Sequence, residues 1–307
     1  MGYDLEGKLV VGVASSALFD LSASDEVFRS KGEDEYRRYQ AENIDNTLDP
    51  GVAFSFIRRL LSLNDLTPGL STLVEVIILS RNDPETGLRV MRSVRTHDLS
   101  ISRSIFTQGR SPYVYIGALS MALFLSADEG DVREALAMGF PAGQVLGVPI
   151  EDSTGSDLRI AFDFDGVLAG DESERVMQAS GLEAFHANEV ANAEIPLEKG
   201  RLAELLAGIN RIQDVEDEMV RVDAAYNRRV HVAIVTARNA PSHERVVRTL
   251  QSWGVRANDA FFLGGIDKDR VLRVLKPHIF FDDQKTHLVK ASVEVPSVHI
   301  PFGVVNE

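Results

Sequence analysis

Short apolar runs that end abruptly in acidic or hydroxyl-bearing residues, each followed by an amphipathic stretch, recur along this chain and leave few folds open. Residues 74–79 (VEVIIL) meet SRND and then a helical pattern over 87–94. Residues 122–125 meet SADEGD, and a helix follows through Ala137. LRIAF (158–162) meets DFDG, and VHVAIV (230–235) meets TARN with a helix through Trp253. HIFF (278–281) meets DDQ, then a helix, then a last strand at 298–300. Strands alternating with helices predict parallel α/β sheets. In such sheets ligands sit beyond the carboxyl ends of the strands, where these polar tetrads fall.

At 307 residues the chain has room for about two domains, each able to bury a core. Hydrophobic residues at 44% and charged ones at 25% exclude a disordered or fibrous chain. Lys and Arg number 32 against 46 Asp and Glu, a net charge of −14, which argues against nucleic acid as a partner. A small phosphorylated ligand needs only one local cationic or metal-bearing pocket. With no Cys there is no disulfide, zinc–thiolate site or cysteine nucleophile, which fits a reducing cytoplasm.

The apolar stretch 9–19 (LVVGVASSALF) has the look of a signal-peptide core, but Asp4 and Glu6 precede it with only Lys8 as a base. It reads instead as a buried strand running into a turn. Glu6 also stands where a myristoylation signal wants Ser or Thr. No run reaches the ~20 residues that span a bilayer. The nearest, 113–125, reads as a buried helix joined to a strand, so no membrane partner is expected.

The two halves resemble each other. VIILSRNDPETGLRVMR (76–92) and VAIVTARNAPSHERVVR (232–248) share a strand, a hydroxyl residue, Arg-Asn, Pro and helix-borne arginines. Ser80 matches Thr236 at an offset of 156, Asp128 matches Asp283 at 155, and Ser15 matches Asp163 at 148. Matched elements in the same order suggest a duplicated unit, although any two α/β stretches share some features. The boundary is expected in the polar run 151–157 (EDSTGSD), giving units 1–150 and 151–307. Where the second half has Asp163 and Asp165 the first has Ser15 and Ala17, so chemistry that needs two carboxylates belongs to the second half.

DFDGV (163–167) is the sharpest signal. Two acids at i and i+2 after a buried strand are costly to desolvate unless a cation holds them. Oxygen ligands in a small cluster suit Mg²⁺, which takes one or two carboxylates plus substrate phosphate. Asp282-Asp283 ends another strand and could complete the site. Thr236 offers a hydroxyl and helix-start N–H groups for an anion, with an N-cap as the alternative. Lys268, in a turn before a helix, could reach a phosphate or remain a solvated lysine among Asp267, Asp269 and Arg270.

Asp-x-Asp, Thr, Lys and Asp-Asp, each after a strand and in this order, resemble the haloacid dehalogenase (HAD) superfamily. AFDFDGVLAGDESE (161–174), VTAR (235–238), FFLGG with Lys268, and PHIFFDDQ (277–284) resemble, within it, the cytosolic 5′-nucleotidase I family. ASSALFDL (14–21), THDLSISR (96–103) and LFLSADEGDVREAL (123–136) carry the likeness through the first half, from about residue 9 to 303 overall. The resemblance implies a Rossmann-like HAD fold whose second unit is catalytic, with the first in a substrate-side or lid role. It implies a Mg²⁺-dependent 5′-nucleotidase acting on nucleoside 5′-monophosphates, AMP and IMP favoured, through an aspartyl-phosphate.

In that scheme Asp163 attacks phosphorus and Asp165 is the general acid and base. Asp163, the Asp165 backbone carbonyl and Asp283 hold the metal, with Asp282 beside them, and Thr236 and Lys268 hold the phosphoryl oxygens. His287 stands where the superfamily often has a further acid. Asn82, His97, Asp98, Gln108 and Gly109 are implied for the nucleoside pocket, against ordinary loop bonds and caps. Phe19, Phe106 and Tyr113 are stacking candidates that could equally be core. Arg238 and Asp171 stay open between site and scaffold. The charged stretch 171–229 reads as a cap insertion or a solvated helical hairpin. Rival readings are a phosphatase or phosphotransferase for another small phosphomonoester, and a nucleotide-binding regulator without turnover. Self-association into a homo-oligomer stays open.

Overall fold

Val-, Ile- and Leu-rich strands buried on both faces organise each half of the chain into a parallel sheet covered by helices. The computed structural model describes residues 3–69, 72–149 and 155–306. It divides into two compact units, residues 1–153 and 154–307. Part of the expected linker, 151–154, lies outside the described residues.

The first unit contains β1 (Leu9–Val13), β2 (Val74–Ser80), β3 (Arg103–Phe106), β4 (Leu123–Ser126) and β5 (Ala142–Leu146), in the order β3-β2-β1-β4-β5. All four pairings are parallel. The second contains β6 (Leu158–Phe162), β7 (Val230–Thr236), β8 (Asp259–Phe262), β9 (Ile279–Asp282) and β10 (Ser297–His299), in the order β8-β7-β6-β9-β10. These pairings are parallel too. Counted from its own first strand, each unit runs 3-2-1-4-5. This is the expected α/β, Rossmann-like architecture, with the first strand central and the order reversing beside it.

Helix starts follow local chemistry. Asp83 caps helix Pro84–Thr96 by accepting the Thr86 N–H at 2.8 Å, with Pro first in the helix. Asp128 caps helix Glu129–Ala137 in the same way, accepting from Asp131 N–H at 3.0 Å. The stretch 113–125 divides as expected into a short helix, Val114–Ala118, and β4.

The charged stretch 171–229 is not one solvated hairpin. Helix Glu172–Ala191 breaks at Gly181 (φ 80°). Helix Ala203–Val222 buries Leu205, Leu206, Ile209 and Ile212, and is part of the core. Its buried Glu216 accepts hydrogen bonds from the Arg229 and Val230 N–H groups and so fixes the start of β7. The first unit has a counterpart: Ser22–Lys31 and Glu33–Glu42 break at Gly32 (φ 85°), and helix Phe54–Ser62 follows. No helix among the described residues is long and apolar enough to cross a membrane.

Candidate active site

The central strand β6 delivers Asp163 at its carboxyl end, and its neighbour β9 delivers Asp282 and Asp283. All three carboxylates are buried, and one oxygen from each lies within 4.8 Å of the others. The turn after Asp163 closes over Asp283 only because residue 166 is glycine. Gly166 has φ 72°, and a Cβ there would stand 2.4 Å from Asp283 Oδ2.

Lys268, buried at the start of helix Lys268–Leu275, places Nζ 2.9 Å from Asp163 Oδ2 and 2.7 Å from Asp282 Oδ2. It is thus not a solvated turn lysine. Burial opposes its charge, but the two carboxylates outweigh that and hold it well above the usual lysine range. Burial likewise opposes ionisation of Asp282. Lys268 and His287, whose Nδ1 lies 3.2 Å from Oδ2, outweigh it and keep this carboxyl below its ordinary value. Asp282 Oδ1 also accepts the Gln284 N–H at 2.8 Å.

Asp163 and Asp283 go the other way. Burial, moderated by Lys268 but reinforced by Asp282 and Asp165, lifts Asp163 to about 7. Burial, with Asp163 and Asp282 nearby, lifts Asp283 to about 9. Asp283 Oδ1 is buried with no hydrogen-bond partner. One ammonium among three carboxylates, with an orphaned oxygen, is a donor set that fits a divalent cation, and all-oxygen ligation suits Mg²⁺. The fourth member of the expected metal set, the Asp165 main chain, follows in the same turn.

The Asp165 side chain is held elsewhere. Arg238 grips both its oxygens, Nε to Oδ2 and Nη2 to Oδ1, each at 2.7 Å. Arg238 also donates to Glu189, and Glu189 accepts from Arg245 Nη1 and Ser173 Oγ, both at 2.9 Å. Arg238 and Glu189 are buried. Burial alone would weaken the guanidinium's charge, but Asp165 and Glu189 hold it firmly protonated. Arg238 is therefore the fixed partner of a candidate residue. Glu189, which the sequence did not single out, fixes Arg238 in turn. Inside a charged helical stretch nothing marks a glutamate as buried.

Thr236 is buried at the end of β7 and accepts the Arg238 N–H at 3.2 Å. Ser242, not Thr236, precedes helix His243–Trp253, so Thr236 is not that helix's cap. Asp171 is scaffold: its Oδ2 accepts the Val304 N–H at 2.8 Å and pairs with Arg175 at 2.9 Å.

In the first unit, Asn82, Gln108 and Gly109 line a cavity of about 490 Å³ at the strand ends, together with Tyr113. His97 and Asp98 do not join them. The His97 ring stacks on Phe19 at 5.7 Å, meets Phe54 at 5.0 Å, and places Nε2 2.8 Å from the Leu48 carbonyl. Aromatic packing has claimed the imidazole. Asp98 is exposed just past the end of helix Pro84–Thr96, in the left-handed region with φ 53°. Phe19 is core, and Phe106 covers Gly87, where a Cβ would lie 2.6 Å from its ring.

A central strand ending in a buried aspartate, a second acidic strand end and a bridging lysine form one buried acidic cluster at the carboxyl edge of a parallel α/β sheet. A family model described as 5′-nucleotidase matches residues 1–307. Human cytosolic 5′-nucleotidase 1B is 32% identical over 290 residues, which cover 91% of this chain. The chain spans about half that relative's length, 46%. No solved structure matches the chain. The chain belongs to the 5′-nucleotidase family, and the likeness to its cytosolic type I branch read from the sequence stands.

Proposed function

We propose that this chain hydrolyses nucleoside 5′-monophosphates, AMP and IMP foremost, to nucleoside and phosphate in the cytoplasm. The observation that carries this is the meeting of Asp163, Asp282 and Asp283 around Lys268 at the ends of β6 and β9. Asp163, Asp283 and the Asp165 carbonyl would hold Mg²⁺, with Asp282 beside them. When bound, the ion offsets phosphoryl charge.

An Asp163 oxygen forms a bond to phosphorus as the bond from phosphorus to the ribose 5′-oxygen breaks. Asp165 gives that oxygen its proton. A water, losing its proton to Asp165, then attacks phosphorus and frees Asp163 and phosphate. Lys268 and Thr236 hold the phosphoryl oxygens throughout. The role of Arg238 is to keep Asp165 in place. The first unit, without the paired carboxylates, serves on the ligand side.

Phosphate release from a panel of nucleotides and sugar phosphates, with Mg²⁺ and with a chelator, tests this. Release from nucleotides that stops on chelation is the expected result. Turnover of sugar phosphates alone would sink the substrate assignment.

A further inference from the structure

The two units match beyond their strand order. The paired residues Phe19 and Pro50 correspond to Ala169 and Lys199 at offsets of 150 and 149. Arg89 Nε donates to the Asn46 carbonyl and Arg245 Nε to that of Ile195, each at 2.9 Å. The Leu48 N–H donates to Ser93, and the Leu197 N–H to Thr249. These bonds align positions 149 apart before the second strand and 156 apart after it.

On that alignment the first unit is the second with most of its site charges removed. Asp165 and its clamp Arg238 become Ser16 and Asn82. Glu189 becomes Gln40, which still accepts from Arg89 Nη1 at 3.1 Å, as Glu189 does from Arg245. The Phe185 ring that lies under Arg238 becomes Tyr36, whose hydroxyl donates to Asn82 Oδ1 at 3.2 Å. Asp163 and Asp282 become Ala14 and Ser126, and the lysine between them becomes Pro112. Random decay would strand buried charges without partners, which is strongly destabilising. Here Asp163, Asp165, Asp282, Lys268, Arg238 and Glu189 all have uncharged counterparts, mostly hydroxyl and amide groups, and the retained cation Arg89 keeps a hydrogen-bonding partner in Gln40.

The space survived. The cavity of about 490 Å³ is lined by Ser15, Ser80, Asn82, Gln108, Tyr36 and Tyr113. Its far wall is built: Gln108 and Gly109 both take positive φ, 49° and 79°. The Gln108 N–H thereby donates to the Asn82 carbonyl at 3.1 Å, and that of Gly109 to the Arg81 carbonyl at 2.6 Å. The two cations at the rim are engaged. Arg81 pairs with Asp131 and Glu134, and Arg37 with Glu33 and Asp83. With Asp25 and Asp128 also lining the wall, a phosphate dianion would be repelled.

We propose that the first unit binds a neutral nucleoside in this cavity without transforming it. Hydroxyl and amide groups, the Tyr36 hydroxyl among them, meet the sugar and base edges. The choice of a nucleoside rests on the nucleotidase reading, since the cavity is matched to the cleft assigned there to a nucleotide. The neutral character rests on the cavity itself.

An azido-adenosine photoprobe on the full chain, with labelled peptides identified by mass spectrometry, tests this. Label is expected within residues 28–37, 80–83 or 108–113. Unlabelled adenosine should compete with it and inorganic phosphate should not. Asn82→Leu, checked for an unchanged melting temperature, should weaken this labelling about tenfold. Gln108→Ala serves instead if that variant misfolds. Label confined to the second unit, no displaceable label, or competition by phosphate would each overturn the proposal. Phosphate release assayed on the same preparation separates the two readings. Release without first-unit label sinks only this inference, and label without release sinks only the reaction.

Discussion

At the scale of single residues the site is a matter of which charges are partnered. Asp163→Asn keeps the shape and removes the proposed nucleophile, so turnover should fall roughly 10³-fold or more while the fold persists. Full turnover by that variant would refute the covalent route. Arg238→Lys keeps a cation beside Glu189 but cannot grip two oxygens of Asp165 at once. Steady-state kinetics should show kcat down by about tenfold or more with KM little changed, because misplacing the proposed proton donor costs rate rather than binding. Equal losses in kcat/KM and in melting temperature, with kcat intact, would reduce Arg238 to scaffold.

Residues differ in how much of this the sequence reveals. Asp163 and the Asp282-Asp283 pair stand out, because acids at the ends of largely apolar, buried strands are costly to desolvate. Glu189 is silent, because its burial depends on Arg238 and Arg245, which arrive from 49 and 56 residues away. His97 misleads, because a polar residue at a helix end looks the same whether it faces a ligand or stacks on Phe19.

At the scale of elements, the turn between Asp163 and Leu168 determines whether the strand ends can converge. Gly166→Ala places a methyl group against Asp283 at a backbone angle that L-residues avoid. It should cost about 1–3 kcal/mol of stability and, by moving Asp283, lower activity beyond what the lost stability explains. Chemical denaturation beside an activity assay checks both, and wild-type behaviour in each would show that the turn is not tightly constrained. The strands were legible because burial on both faces makes them continuously apolar. The helices of 22–42 were not, because Ser22–Lys31 and Glu33–Glu42 bury only Ser24, Tyr36 and Gln40 and leave little periodic signal.

For the whole molecule, the raised carboxyls link stability to pH. Asp163 near 7 and Asp283 near 9 bind protons more tightly folded than unfolded, where a carboxyl sits near 3.9. Their contribution is complete below about pH 4 and is lost as pH rises through 7 and 9. In chelator, the melting temperature should therefore fall between about pH 5 and 9, and Asp283→Asn should flatten the slope. Mg²⁺ should restore more stability at the alkaline end. An unchanged slope in the variant would mean that Asp283 ionises freely in the folded chain.

The shared 3-2-1-4-5 order has a cost during folding. A nascent β1 and a nascent β6 offer nearly interchangeable partners to β2 and β7, so one chain carries its own competitor for every pairing. Refolding from denaturant should pass through mispaired species whose yield does not fall on dilution, since the wrong partner is covalently attached.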